Sequence, residues 1–219
     1  IEVKNDKILY KSITAAVRKA HFLDHDNILK IKKVVKDESS IAIVSEKVPN
    51  TTLLTLKTDF DKHSISPNVL QPYLQQILEA LKYSHAKMNV THGCLDLSSI
   101  FINDEQKVKI NGFQFLSVLT NAEQLSEYDS YVPNIEWYSN IQENSTNLIT
   151  FDSFCLANST VEALGGERLF TTLEELKSSS YESINEKVKE LEIPSSENIR
   201  PQFYDFIAGV IYNQYFGET

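Results

Sequence analysis

The residue pattern predicts an α+β fold of two lobes, a small strand-rich lobe from Ile1 to about Glu46 and a mainly helical lobe from about Lys47 to Thr219. Three observations predict it. Residues 1–48 carry β-type runs at Lys7 to Lys11, Ile28 to Val35 and Ile41 to Val44 around one helical stretch, Ala15 to Leu23. Glu46 to Asn50 holds a Pro-Asn turn signal, and beyond Lys57 apolar residues recur at helical spacing, which places a hinge near Glu46 to Val48. A length of 219 residues with 42% hydrophobic content is enough to bury a sizeable core, in one domain or in two lobes around one cleft.

The elements of the larger lobe follow in order. Ser66-Pro67 is an N-cap and first-turn pair, and Val69, Leu70, Tyr73, Leu74, Ile77, Leu78 and Leu81 then recur at three- and four-residue steps, so a buried helix is expected. Ser99 to Asn103 and Lys107 to Ile110 are short strand candidates joined by the turn-forming Asp104-Glu105-Gln106, a hairpin expected beneath the cleft. A buried helix is expected from about Asp152 to Leu164. A polar segment follows from Thr171 to Ser196, whose Glu174 to Glu192 portion alternates Lys and Glu in the manner of a solvated helix face. An aromatic-rich amphipathic helix is expected from about Pro201 to Tyr215, its rings serving core packing or a partner patch.

Charge and composition exclude several functions. With 21 basic against 30 acidic residues the net charge is −9, which opposes binding to nucleic acid or to an anionic membrane. Two cysteines, Cys94 and Cys155, make no disulfide framework and no zinc-ligand spacing, so a reducing, cytoplasmic setting and no metal site are expected. No apolar run reaches the roughly 18–20 residues of a spanning helix. Asn-x-Ser/Thr triplets at Asn50, Asn89, Asn144 and Asn158 read as chance in an Asn/Ser/Thr-rich chain.

Two stretches carry a family likeness. Leu78 to His85, followed by Val90-Thr91-His92-Gly93-Cys94-Leu95-Asp96-Leu97-Ser98-Ser99-Ile100-Phe101-Ile102, resembles the helix and catalytic loop of protein kinases with their His-Arg-Asp-Leu-x-x-x-x-Asn rhythm. Val108 to Gln114 resembles the strand leading into Asp-Phe-Gly, with Gly112 placed 18 residues after Cys94. In the same order, His25-Asp26-Asn27-Ile28 resembles the His-Pro-Asn-Ile turn, Ile41 to Val48 the strand entering the hinge, Pro133 to Trp137 an eroded Ala-Pro-Glu segment, Asp152 to Ala157 the start of the large central helix, and Arg200-Pro201 the Arg that pairs with the Glu of that segment, here Glu136. The likeness covers nearly the whole chain and implies a protein-kinase-like fold with a small N-terminal lobe, partial or abbreviated.

The departures from that family shape the functional expectation. Cys94 stands where the family has the catalytic-loop Asp, Ser99 where it has the metal-binding Asn, and Gly112 where it has the metal-binding Asp. No Gly-x-Gly-x-x-Gly precedes the hinge. The resemblance therefore implies a pseudokinase, not an enzyme, with no cofactor, acting as a scaffold or allosteric regulator through a protein partner. His-Gly in place of His-Arg, then Ser-Ser-Ile, resembles the Scy family of kinase-like proteins; the pseudokinases of the poly(A)-nuclease complex, of nuclear-receptor binding and of fusions to active kinases are comparable.

By the same resemblance His92 and Phe113 stack in the spine linking the lobes, and Asp152 ties the catalytic-loop backbone to the central helix. Should a nucleotide bind, Lys11, Glu46 and Val48 match the phosphate lysine and the hinge. Lys11 lies only 14 residues before His25, and Ala16 sits where its Glu partner belongs. Two other readings stay open: a nucleotide-gated switch without turnover, and a divergent active kinase that uses Asp96 or Asp104 in a repositioned metal site. A thiol-catalyst reading of Cys94 with His92 is set aside, because residues two apart in a loop point in different directions and no oxyanion partner is visible.

Overall fold

A computed structural model describes residues 7–36, 40–60, 64–93, 95–113, 148–165 and 180–190. The first element corrects an expectation. Lys7 to Lys11 is no strand but the opening of helix α1, Lys7–His21. Tyr10, Ile13, Val17 and Ala20 recur at three- and four-residue steps, and burying that stripe decides between the two conformations open to a short apolar run. Lys11 is thereby carried on the exposed side of a helix.

Strands β1, Ile31–Lys36, and β2, Ile41–Ser45, form an antiparallel hairpin with Val34 opposite Ile43 and Val35 opposite Ala42. Ile13, Val17 and Ile41 are fully or almost fully buried together, and Tyr10, Val34 and Ile43 close around them, so α1 lies on one face of the hairpin. Strand β3, Thr51–Thr52, leads directly into helix α2, Leu53–Asp59. Helical structure thus starts ahead of Lys57, because Thr52 and Thr55 cap each other reciprocally: the Thr55 amide donates to Thr52 Oγ1 at 3.1 Å and the Thr52 amide to Thr55 Oγ1 at 2.8 Å.

Helix α3, Pro67–Met88, takes the expected place. Pro67 occupies its first turn, but the Ser66 side chain makes no capping bond. Leu70, Tyr73, Ile77, Ala80, Leu81 and Ser84 are buried while Leu78 is half exposed, so the apolar stripe is wider than the buried face. Strands β4, Ile100–Ile102, and β5, Val108–Ile110, form the expected hairpin, and β3 adds to it in the order β3-β4-β5. Gln106 turns the hairpin at φ 60°, where its side chain receives the Tyr73 hydroxyl.

Helix α4, Leu148–Gly165, starts four residues ahead of Asp152, and α5, Tyr181–Lys189, is the described part of the polar segment. The expected helix from Pro201 and the segments around Pro133, Glu136 and Arg200 lie outside the described residues. One core joins α3, α4 and the β3-β4-β5 sheet, with Ile65, Ile77, Ala80, Ile100, Val108, Ile110 and Ala163 wholly buried.

The segment between α1 and β1 is stitched onto β5. Leu29 N–H donates to Ile110 O at 2.9 Å, Ile110 N–H donates to Asn27 O at 2.8 Å, and the buried Asn27 amide donates to Gln76 Oε1 and Val108 O. These bonds fix the smaller hairpin against the larger layer. Together the small sheet region and the helices make an α+β fold. No helix among the described residues is long and apolar enough to cross a membrane.

Candidate functional site

The loop from Thr91 to Ser99 starts where α3 stops. Asn89 takes the left-handed conformation at φ 49° and ψ 45°, its amide reaching the last-turn carbonyls, and Val90 N–H donates to Ser84 O at 3.0 Å. The chain reverses and runs beneath α4. There the fully buried Asp152 carboxylate accepts the amides of His92, at 2.8 Å on Oδ2, and of Gly93, at 2.6 Å on Oδ1. His85, on the last turn of α3, completes the arrangement with Nε2 at 2.7 Å from Oδ2. Three donors on one carboxylate join α3, the loop and α4 at a point that water does not reach.

Gly93 holds φ 69°, a region glycine enters without the clash a Cβ would bring. Beyond it, Asp96 closes the loop on itself. Its Oδ1 accepts the Ser98 amide at 3.0 Å, the Ser98 hydroxyl at 2.8 Å and the Ser99 amide at 2.9 Å. Ser99 Oγ accepts the Asp96 amide and donates to the Asp96 carbonyl.

Strand β5 delivers the second half of the site. His92 Nε2 faces Asn111 O at 2.9 Å, so that nitrogen donates, and Ser99 O receives the Asn111 amide at 3.0 Å. Burial pushes the His92 pKa below its ordinary value, against the raising effects of Asp152, the Asn111 carbonyl and Asp96, with His85 adding to the depression. The ring is therefore held neutral. Phe113 packs edge-on against it, centroids 4.7 Å apart at 63°. Gly112, between them, sits at φ 118°.

His92, Phe113 and Asp152 are thus brought together, with Ser99 and Gly112 alongside. Cys94 lies outside the described residues. Lys11 is exposed on α1 instead of on a strand beside the hinge. Glu46, just past β2, pairs through Oε1 with Lys109 Nζ on β5 at 2.9 Å and accepts the Lys30 amide, while Val48 is exposed. Burial tends to raise the Glu46 pKa, but the hydrogen bond from Lys109, the Lys30 amide and the charges of Lys109 and Lys32 bring it below the usual carboxylate value. Sequence reasoning assigned no role to His85 or Lys109, since each acts on a partner brought near only by folding.

The family implies a divalent cation, and the described residues do not fit one. Asp96 Oδ1 already accepts three bonds, the Ser99 hydroxyl is engaged with the Asp96 backbone, Gly112 has no side chain, and Asp104 stands in the exposed hairpin turn. Among the described residues no three His, Cys, Asp or Glu come together as a metal site.

Comparison with known proteins bears on the rest. The family model of the protein kinase domain matches residues 2–215. Similar proteins include a cyclin-dependent kinase-like protein of Caenorhabditis elegans, 24% identical over 58% of this chain and 35% of the relative. The serine/threonine-protein kinase plk-2 of the same organism is 30% identical over 47% of this chain and 16% of its own length. A mitogen-activated protein kinase kinase kinase of Arabidopsis thaliana is 26% identical over 69% of this chain and 19% of its own. The alignments therefore span about a third or less of these relatives. The expectation that the chain is not an enzyme is corrected by these findings: the matching model is that of a kinase domain, and the similar proteins are named as kinases, not as scaffolds.

Proposed function

The chain belongs to the protein kinase domain family, and from that premise we propose that it is a divergent protein kinase domain, which transfers the terminal phosphoryl group of ATP to a serine or threonine hydroxyl of a protein substrate. One observation carries the reading. The loop that follows α3 is held by Asp152 through two consecutive amides, and its His92 packs edge-to-face with Phe113. That arrangement costs two buried donors and a buried histidine, and it gives a rigid loop on which an acceptor hydroxyl can be positioned. The name of the plk-2 relative, a serine/threonine-protein kinase, supports serine/threonine acceptors.

On this reading the departures at Cys94, Ser99 and Gly112 are a changed way of handling the phosphoryl charge. The described residues contribute positioning: Asp152 sets the loop backbone, the Asp96–Ser99 bonds close the loop, and the Glu46–Lys109 pair fastens the segment after β2 to β5. No step is assigned to a metal.

The test is a labelled-ATP transfer assay on a mixed serine/threonine acceptor protein, run beside a thermal-shift titration with ATP. Acceptor labelling that grows with the amount of protein and is competed by unlabelled ATP is the expected result. Background labelling with an unmoved melting temperature would overturn the proposal. A rise of several degrees at ATP about 100-fold above its Kd, without labelling, would make the domain a nucleotide-gated switch instead.

A further inference from the structure

The chain carries a net charge of −9, yet α1 holds Lys7, Lys11, Arg18 and Lys19 and no acid. At about 3.6 residues per turn, the buried Ile13, Ala16, Val17 and Ala20 fill one side of the helix, and Lys11, Ala15, Arg18 and Lys19 share an arc of about 100° on the other, all exposed. Phe22, one residue past the helix end, is next in that line and at 68% is the most exposed large hydrophobic residue among those described. Lys11, Arg18 and Lys19 enter no ion pair among the described residues, and Asp24, the first acid after the helix, is taken by Lys30 at 2.7 Å. The aromatic ring is held in place. The Phe22 amide donates to Lys19 O at 3.1 Å, and the His21 ring, with Nδ1 2.9 Å from Ile31 O, has its centroid 5.7 Å from that of Phe22. The helix dipole accounts for Arg18 and Lys19 in the last turn, but not for Lys11, nor for an exposed phenylalanine.

We infer that this face of α1 docks an acidic segment of a partner protein, one that sets an apolar side chain against Phe22. The cations that select it lie on one face and are uncompensated: Lys11 and Lys19 are about 12 Å apart along the axis, with Arg18 between them and Phe22 at the end. Exposed ion pairs contribute little each, so the cations orient the segment while the rigidly held ring supplies most of the affinity. A bilayer is a poorer fit, because the apolar stripe of α1 is spent on the core and leaves Phe22 alone to enter lipid. Nucleic acid is a poorer fit as well. Three cations release few counterions, and a long polyanion extends past them to meet the acidic remainder of the chain. Docking on α1 requires no phosphotransfer, so it stands or falls apart from that reading.

Fluorescence anisotropy tests it on the whole chain with a fluorescein-labelled peptide of Glu, Ala and Leu, competed by its Lys/Ala/Leu counterpart, by phosphatidylserine vesicles and by poly(U) RNA. The Glu/Ala/Leu peptide is expected to bind, and to bind several-fold more weakly at high salt. Arg18→Glu/Lys19→Glu, altered only at exposed positions, is expected to weaken that binding about tenfold or more, and Phe22→Ala about tenfold. Should charge reversal at the helix end lower the melting temperature, Arg18→Gln/Lys19→Gln is the milder variant and is expected to weaken binding several-fold. The inference is overturned if these variants bind as the parent does, if the Lys/Ala/Leu peptide competes equally, if vesicles or RNA are preferred, or if no binding is seen at about 1 mM. It is overturned too if the chain alone sediments as a salt-sensitive dimer that the same variants dissolve, since a second copy then covers the face.

Discussion

The Asp152 carboxylate receives the Gly93 amide at 2.6 Å, across 59 residues of chain, where neither partner touches water. Removing that acceptor strands buried donors. Asp152→Ala leaves the His92 and Gly93 amides unsatisfied and is expected to cost roughly 3–5 kcal/mol, read as a lower urea midpoint at unchanged slope. Asp152→Asn retains one acceptor oxygen and is expected to cost less. Equal stability of the Ala variant and the parent would show that the clamp is not what holds the loop.

Two glycines of the site are tested by their backbone. Gly93 at φ 69° and Gly112 at φ 118° both occupy the half of conformational space that a Cβ disfavours. Gly93→Ala is expected to cost about 1–2 kcal/mol and Gly112→Ala about 1–3 kcal/mol, the latter position lying farther from the left-handed helical well. Denaturation of the two variants side by side checks the order. Gly112→Asp, which restores the family's carboxylate, should carry a penalty of the same kind. A more stable Gly112→Asp protein would mean that the backbone relaxes there.

The parts of the fold legible in sequence were those whose reason is local. Helix α3 announces itself by apolar steps and Pro67, and the β4-β5 hairpin by two short strands around Asp104-Glu105-Gln106. Helix α1 starts at Lys7 and not at the expected Ala15, since Lys7 to Lys11 is too short to show a period, and only the run through Ile13, Val17 and Ala20 does. The site was legible through family likeness at His92, Phe113 and Asp152. His85 and Lys109 were not, because His85 finds Asp152 67 residues away and Lys109 finds Glu46 on the far side of the hinge. Nor could spacing show that Asp96, which one open reading places in a repositioned metal site, has its Oδ1 taken up by Ser98 and Ser99.

His92 makes stability depend on pH in a definite window. Its folded pKa lies below the ordinary value of 6.5, so between the two the unfolded chain binds a proton that the native ring refuses. Its contribution is therefore complete above pH 6.5 and is lost as pH falls toward the folded value, at no more than about 1.4 kcal/mol per pH unit for one proton. His92→Phe keeps an aromatic partner for Phe113 and is expected to flatten the profile below pH 6.5 while lowering stability at neutral pH, where the bond to Asn111 O is lost. An unchanged slope in chemical denaturation at pH 5–7 would assign the titration to another group.

The Glu46–Lys109 pair is where the segment after β2 meets β5, and its side chains are mostly sheltered, 27% and 20% exposed. Two effects compete in it. Desolvation opposes the charged form of Glu46, while Lys109, the Lys30 amide and Lys32 favour it, and the lowered pKa says that the second group prevails. The stabilisation is thus present above pH 4.5 and lost as pH falls through the depressed folded value. A double-mutant cycle of Glu46→Gln and Lys109→Met is expected to give a coupling of about 0.5–1 kcal/mol at neutral pH, near the upper end for ion pairs in contact with solvent. It should shrink in about 1 M salt, and vanish as pH falls through the depressed folded value and Glu46 is neutralised. A coupling that persists at low pH would mean that packing, not charge, joins the two residues. ATP is the informative addition to the cycle: if the pair positions the segment after β2 for nucleotide, the single variants lose ATP-induced thermal stabilisation by more than their own loss of stability, and if it is only a strut, the ATP-induced shift stays as in the parent.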